Sequence, residues 1–483
     1  MAVVATAGWA AALAYPAASL LALANGANDI CNSVGTAVGA GALTMRQALV
    51  LGCIAEAIGA VTIGPFVAQS IASGQIHVAA FAGSPRTFVL LMLSSLLGAG
   101  ISTLLATLYG APISATHGIV SGIVTVALLS GTHGALDLGG IGFTLLGWAA
   151  SPLAGLAAGF AVSLLVHRLV LGTRSPAAAA AKRQPLLLAL IASLSFLFLL
   201  LKGPVFLRRR VAGRPLLALG AALAGGAAVA AASLHASGRE QAARPRAELD
   251  EVQRRFVPLL VLAGLCEHPR APESTREHPR APESTREHPR LLLVLAGLTV
   301  ALAHGANDID RDDPRVGNAV GPLAAILATP AEGPVALAPA VPPTAMLCGA
   351  GAFVVGILTL GERTISTVGS KITTLTPHRS FATQTGAAVA VLSSSACGLP
   401  VSTSHCLVGA VVGVSLAEKL CGVPNTGLDL TVLSKIVVGW VVTIPLAAAV
   451  AAAAFVLLSW LTCPHRPYNE GGEILHNATA RGE

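Results

Sequence analysis

The chain has 483 residues, of which 54% are hydrophobic and only 11% are charged, with a formal net charge of +7. Soluble domains carry about 25% charged residues, so this composition excludes an ordinary soluble protein and indicates an integral membrane protein. Aromatic residues make up 4% of the chain, which favours helices packed through small residues over an outer-membrane barrel, and the basic excess is typical of cytoplasmic loops rather than of a nucleic-acid surface.

The first half contains several apolar runs of the length that crosses a bilayer, about 20 residues. They lie at 7–23, 48–71, 88–109, 119–129 and 141–171. No Lys or Arg precedes the first run and no convincing cleavage site follows it, so we interpret it as a retained span. The fourth run is short and directly follows the Gly- and Pro-containing segment 110–117, so a broken or re-entrant helix is expected there.

Two more apolar runs, at 186–201 and 216–234, flank a basic cluster at 208–210, and a charged segment covers 237–255. This middle region is predicted to face the cytoplasm. The second half contains runs at 291–303, 316–328, 344–360, 381–397, 406–416 and 432–461. The eight cysteines never form a CxxC pair, so neither a zinc site nor a disulfide framework is expected.

One phrase, Gly-Ala-Asn-Asp-Ile, occurs at 26–30 and again at 305–309. An Asn-Asp pair within an apolar run is costly in lipid unless it lines a polar cavity or meets a partner. A second pair of motifs follows in the same order, at 112–117 and 400–405. Duplicated polar motifs of this kind indicate a secondary transporter with a site between two repeats, although interhelical hydrogen bonding alone is an alternative role for the Asn-Asp pairs.

The second half also carries two insertions. Asn32 lies four positions after Asn28, whereas Asn318 lies eleven after Asn307, and the surplus is the charged segment 310–316. A tandem decapeptide occupies most of 266–298 between two copies of Leu-Val-Leu-Ala-Gly-Leu. We interpret 266–298 as a low-complexity insertion within a span; a disordered loop joining two genuine helices is the alternative.

These patterns divide the chain into four parts. A first repeat covers 1–172, a central basic linker with two apolar segments covers 173–255, a second repeat with both insertions covers 256–463, and a polar tail covers 464–483.

The motif side chains offer hydroxyl and amide groups together with carboxylates. They are Asn28, Asp29, Asn32, Ser114, Thr116, Asn307, Asp308, Asn318, Ser402, Thr403 and Ser404. Because the 112–117 and 400–405 motifs contain no Lys or Arg, an anion there would rely on helix N-termini and hydroxyls. The carboxylates suit a small hard cation such as sodium, or a proton.

The matching stretches 25–30, 43–47, 112–117, 304–308, 361–373 and 398–405 resemble the PiT inorganic phosphate transporter family over nearly the whole chain. The resemblance implies an all-α polytopic membrane protein, an inverted-repeat carrier of about twelve spans that moves phosphate with sodium or protons and forms a dimer. It implies ion and phosphate sites built from the motif residues above together with Ala115. We assign Ser114, Ala115, Thr116, Ser402, Thr403, Ser404, Asn28 and Asn307 to phosphate. We assign Asp29, Asn32, Asp308, Asn318 and Glu56 to the coupling ion, with Asp29 and Asp308 as sodium ligands if sodium is the coupling ion.

The sequence departs from the family pattern in three places. Ala115 replaces a hydroxyl residue, Gln384 stands where the family has a membrane glutamate, and the insertion 310–316 separates Asp308 from Asn318. Glu56 is interpreted as a coupling carboxylate, with helix packing as its alternative role. His117 and His405 follow the hydroxyl motifs as proton carriers or as helix caps.

The sequence thus predicts a cation-coupled phosphate symporter working by alternating access, with no cofactor and no nucleic-acid partner. The predicted location is the plasma membrane, with an organellar membrane as the alternative. A non-transporting phosphate receptor or an inactive paralogue is the alternative function, because the second motif is interrupted. An intramembrane enzyme is disfavoured, since Ser114 near His117 is the only suggestion of a nucleophile with a base.

Overall fold

The computed structural model describes residues 8–67, 75–202, 210–242, 319–329, 335, 342–396, 399, 401–423 and 427–462. Within these residues the only β-structure is a pair of isolated bridges, and the rest of the regular structure is helical. The helices are α1 (Gly8–Ile30), α2 (Thr36–Gly39), α3 (Met45–Val67), α4 (Pro85–Leu108), α5 (Ala115–Leu129), α6 (Leu138–Val166), α7 (Pro176–Lys202), α8 (Pro215–Ala242), α9 (Val320–Ala328), α10 (Pro343–Ser366), α11 (Pro377–Ala396), α12 (Thr403–Leu420) and α13 (Leu430–Leu461).

Seven helical stretches among the described residues are long and apolar enough to cross a membrane. The predicted all-α polytopic fold is therefore confirmed. The number of about twelve spans and the inverted relation of the repeats remain predictions.

The first helix passes without interruption through the Asn-Asp phrase. Helix α1 continues from Gly8 to Ile30, a π-helical turn follows at Cys31–Gly35, and α2 extends the same stretch to Gly39. The span predicted at 7–23 is therefore too short. The helix continues because Asn28 and Asp29 are buried within the protein, where partners are available, and do not face lipid.

Helices α4 and α5 form one hairpin and α11 and α12 form another. The last helix of each half packs against the hairpin of the other half: α6 contacts α11 and α12, whereas α13 contacts α4 and α5. The close approach of α6 and α12 requires glycine, because a Cβ added at Gly409 would collide with the carbonyl oxygen of Pro152. The two halves are therefore interlocked.

The same local structure precedes α6 and α13, the two helices that pack against the hairpin of the other half. Ile76 forms an isolated bridge with Leu136 just before α6, and Thr373 forms one with Leu428 just before α13. An aspartate then caps each helix, Asp137 accepting a bond from Gly140 N and Asp429 from Thr431 N and Val432 N. This likeness agrees with a duplicated unit.

The short helix expected near 119–129 is present as α5, a 15-residue helix that starts directly after Ser114. Helix α4 lies at the centre of the molecule, with Leu91, Met92, Leu93 and Leu96 fully buried. Outer helices expose large apolar side chains such as Leu216 and Trp460, as a lipid-facing surface does.

Several predicted features lie outside the described residues. These are the insertions at 266–298 and 310–316, the apolar run 291–303, the tail 464–483, and the site candidates Asn307, Asp308 and Asn318.

Candidate functional site

Asn28 holds the break between α4 and α5. Its Nδ2 donates to Thr107 Oγ1 and to the carbonyl oxygen of Ala111, both at 2.9 Å, and its Oδ1 accepts from Ile113 N at 2.8 Å. The side chain is fully buried, and both its amide nitrogen and its amide oxygen are hydrogen-bonded. Asn28, predicted to bind phosphate, therefore orients the backbone that leads into the first hydroxyl motif.

Residues of the second half satisfy the remaining carbonyl groups of this break. Trp440 Nε1 donates to the carbonyl oxygen of Pro112 at 2.9 Å, and Ser404 Oγ donates to that of Ile113 at 3.3 Å. With these carbonyl groups bonded, the break leads directly into the first turn of α5, where the backbone N–H groups lack the i−4 acceptor of a helix interior and that of His117 bonds to Ser114 O at 3.1 Å. Such a helix start is suited to bind an anion.

A buried cluster of Asp29, Asn32 and Ser404 joins the two halves of the chain. Asn32 Nδ2 donates to Ser404 Oγ at 2.8 Å and to Asp29 Oδ1 at 3.2 Å, and Ser404 Oγ lies 3.4 Å from Asp29 Oδ1. All three are buried, with Asp29 6% exposed. Three of the predicted coupling-ion and phosphate residues are therefore in contact, although they come from opposite halves. The carboxylate oxygens of Asp29 and the hydroxyl oxygen of Ser404 are of the type that hard cations prefer, and Asn32 turns its amide nitrogen toward both.

A second polar group lies along the π-helical turn that follows. Ser33 Oγ donates to Glu56 Oε1 at 3.0 Å, which places the buried Glu56 against the same turn. From the other side, Gln384 Nε2 donates to Ser33 O at 2.9 Å and to Thr36 Oγ1 at 2.7 Å. Glu56 and Gln384 thus flank one helical turn, the first with a carboxylate and the second with a neutral amide.

The two hydroxyl motifs occupy equivalent positions at the starts of α5 and α12. Ser114 is the N-cap residue of α5, and Ser402 is that of α12, where its Oγ accepts from His405 N at 3.4 Å. Ala115, Thr403 and Ser404 are buried and Thr116 is partly exposed.

The first turns of α5 and α12 approach each other, as shown by the distance of 4.9 Å between the ring centroids of His117 and His405. Each helix start carries a partial positive charge, so two of them together favour an anion.

Several functional contacts were not predicted. Trp440, Thr107 and Ser33 bond to predicted residues or to the break beside them, and Thr36 bonds to Gln384. A Gly-Trp pair occurs once in the last helix of each half, ending at Trp148 and Trp440. That pair is a signal that could have identified Trp440.

The chain is similar to known proteins over most of its length. Residues 25–451 match the model of the phosphate transporter family. The chain is 32% identical over 441 residues to the inorganic phosphate transporter 2-1, chloroplastic, of Arabidopsis thaliana, covering 90% of this chain and 69% of that protein. It is also similar to a solved structure described as the sodium-dependent phosphate transporter, with a TM-score of 0.71 and 28% identity, over 94% of this chain and 100% of that one.

Proposed function

Because the chain belongs to the phosphate transporter family, we propose that it carries inorganic phosphate together with a cation across a membrane by alternating access. It is an integral, multi-pass membrane transporter and not an enzyme. The observation that carries the coupled mechanism is the buried contact of Asp29 and Asn32 with Ser404. This contact joins a carboxylate of the first half to the hydroxyl motif of the second. The affinity for an ion held there would therefore depend on the relative position of the two halves.

Phosphate would bind between the first turns of α5 and α12. The approach of these two helix starts, with the hydroxyls of Ser114, Thr116, Ser402 and Thr403, supports this location. Ala115 would contribute its backbone N–H alone. Asn28 would act indirectly by fixing the break, and Asn307 is assigned the corresponding role in the second half from the duplicated motif.

The coupling cation would bind at Asp29 with Ser404 Oγ and, once the side-chain amide turns, with Asn32 Oδ1. Asp308 and Asn318 would form the equivalent position, and Glu56 would tune the first one from across the π-helical turn. Sodium is our first choice, supported by the likeness to a sodium-dependent transporter, and a proton is the alternative. We further propose a homodimer in the plasma membrane, with an organellar membrane as the alternative.

Uptake of labelled phosphate in cells that lack their own phosphate transport tests this function. With sodium replaced by choline at several external pH values, a sodium symporter loses uptake at every pH, whereas a proton symporter keeps uptake that rises as the external pH falls.

Asp29→Asn and Ser404→Ala should abolish or strongly reduce uptake at equal surface expression. Ser434→Ala, which removes a hydroxyl on an exposed face of α13, is the matched control and should transport normally. No uptake by the wild-type chain at confirmed surface expression, with phosphate binding retained, would instead identify the receptor or inactive paralogue.

A further inference from the structure

Four aromatic rings form one continuous row of tilted ring contacts where the two halves meet. The centroid distances are 3.9 Å from Trp148 to His117, 4.9 Å from His117 to His405, and 3.8 Å from His405 to Trp440. The two histidines are each 3% exposed. The order of the rings follows the halves, so the first two come from the first half and the last two from the second.

The second-half pair of rings is hydrogen-bonded to both hydroxyl motifs. The Nδ1 atom of His405 makes a short hydrogen bond with Ser402 Oγ, the N-cap hydroxyl of α12. Trp440 Nε1 donates to the carbonyl oxygen of Pro112, two residues before Ser114. His405 and Trp440 therefore connect the start of one hydroxyl motif with that of the other through a single ring contact.

The first-half pair, Trp148 and His117, differs from the second-half pair in its hydrogen bonds. Within the part of the chain that the structure describes, neither ring nitrogen of His117 bonds to a hydroxyl of the two motifs. His117 thus contributes ring contacts to the row, whereas His405 contributes ring contacts and a bond to a motif hydroxyl.

We propose that His405 and Trp440 are positioning residues that fix the distance and orientation between the two halves of the phosphate site. This inference rests on the proposed phosphate site between α5 and α12. The bond to His405 orients the Ser402 hydroxyl, and the bond from Trp440 holds the Pro112 carbonyl group away from the anion. Contact between the two rings links the orientation of the Ser402 hydroxyl to the position of the Pro112 carbonyl group. Loss of either hydrogen bond would therefore displace the hydrogen-bond donors that bind phosphate.

The test compares equal substitutions at the two histidines. His405→Phe keeps an aromatic ring but removes the bond to Ser402, and His117→Phe makes the same change where no such bond is described. Binding of labelled phosphate to the purified full-length protein should weaken about 5- to 20-fold in His405→Phe, the effect of one oriented hydrogen bond, and about twofold or less in His117→Phe. His405→Asn, which restores a polar atom near the Nδ1 position, should recover part of the affinity.

Trp440→Phe is the second arm, because it keeps the ring over His405 and removes only the donor to Pro112. Trp460→Phe, on an exposed face of the same helix, is its control. In uptake assays the affected variants should raise the KM for phosphate with a nearly unchanged Vmax per surface molecule. A purely structural role would lower the amount of folded protein and leave KM and Kd unchanged.

Equal Kd changes in His405→Phe and His117→Phe, or no change in either, would overturn the proposal. Absence of phosphate binding by the wild-type protein would overturn it together with the proposed phosphate site. Binding without uptake would contradict the transport function alone, since the Kd comparison does not depend on transport.

Discussion

Replacing Asn28 by alanine gives a direct test of how the first break is held. The substitution removes three hydrogen bonds and leaves Ile113 N and the carbonyl oxygen of Ala111 without their side-chain partner. An unsatisfied buried polar group costs about 1–3 kcal/mol, so two of them predict a loss of about 2–6 kcal/mol in the free energy of unfolding. Asn28→Asp should be no better, because it keeps the acceptor for Ile113 but directs a second oxygen at the Ala111 carbonyl oxygen.

Thermal unfolding of the purified protein in detergent, followed by intrinsic fluorescence, measures this loss. Asn25→Ala is the matched control on the same helix, because the side-chain oxygen of Asn25 has no hydrogen-bond partner among the described residues. We expect Asn28→Ala to unfold at a clearly lower temperature than Asn25→Ala and to lose phosphate uptake. Equal unfolding temperatures for the two variants would refute the assignment of Asn28 as the residue that holds the break.

Three further predictions follow from packing, charge and spacing. Arg379 Nε lies 2.6 Å from Glu418 Oε2 in a buried ion pair, so Glu418→Gln alone should destabilise the protein by about 3–5 kcal/mol, and adding Arg379→Met should restore part of the unfolding temperature. Gly409→Ala should greatly reduce the monodisperse fraction in size-exclusion chromatography because its Cβ would collide with the backbone of α6, whereas Gly351→Ala, with open space around it, should not. Deleting 310–316 restores the four-residue spacing of the first motif and should increase phosphate uptake at equal surface expression; unchanged uptake would show that the insertion does not impair the second motif.

The fold was predictable where a local signal sets it. The Gly and Pro residues of 110–112 predict a break before the fourth apolar run, and the structure begins α5 at Ala115, shortly after that break. The course of α1 was not predictable in the same way. Asn28 and Asp29 would be costly in lipid, but whether lipid or protein surrounds them depends on helices distant in the sequence.

The candidate site was likewise predictable only in part. The duplicated motifs assign Asp29, Asn32 and Ser404 to the predicted ion and phosphate sites, and the structure brings the three into contact although Asn32 and Ser404 are 372 positions apart. The bonds of Asn28 to the break were not predicted, since an asparagine that binds a ligand and one that binds a backbone carbonyl group look alike in sequence. Trp440 was not predicted because its partner, Pro112, lies 328 positions away, and the Gly-Trp pair that α6 and α13 share is the only local signal for it that we find.

The interlocked halves change how the interrupted second motif should be judged. Ser404 and Trp440 of the second half complete the first break, and Ser151 Oγ of the first half accepts from Ser402 N at 2.9 Å at the start of the second motif. Neither half-site is therefore built by its own half alone. A displacement of one motif changes the hydrogen bonds that orient the other, so the intact first motif does not by itself ensure an intact phosphate site. In the proposed mechanism the same reciprocity would provide a physical basis for coupling, because an ion bound at Asp29 would act on Ser404, and through the start of α12 on the second hairpin.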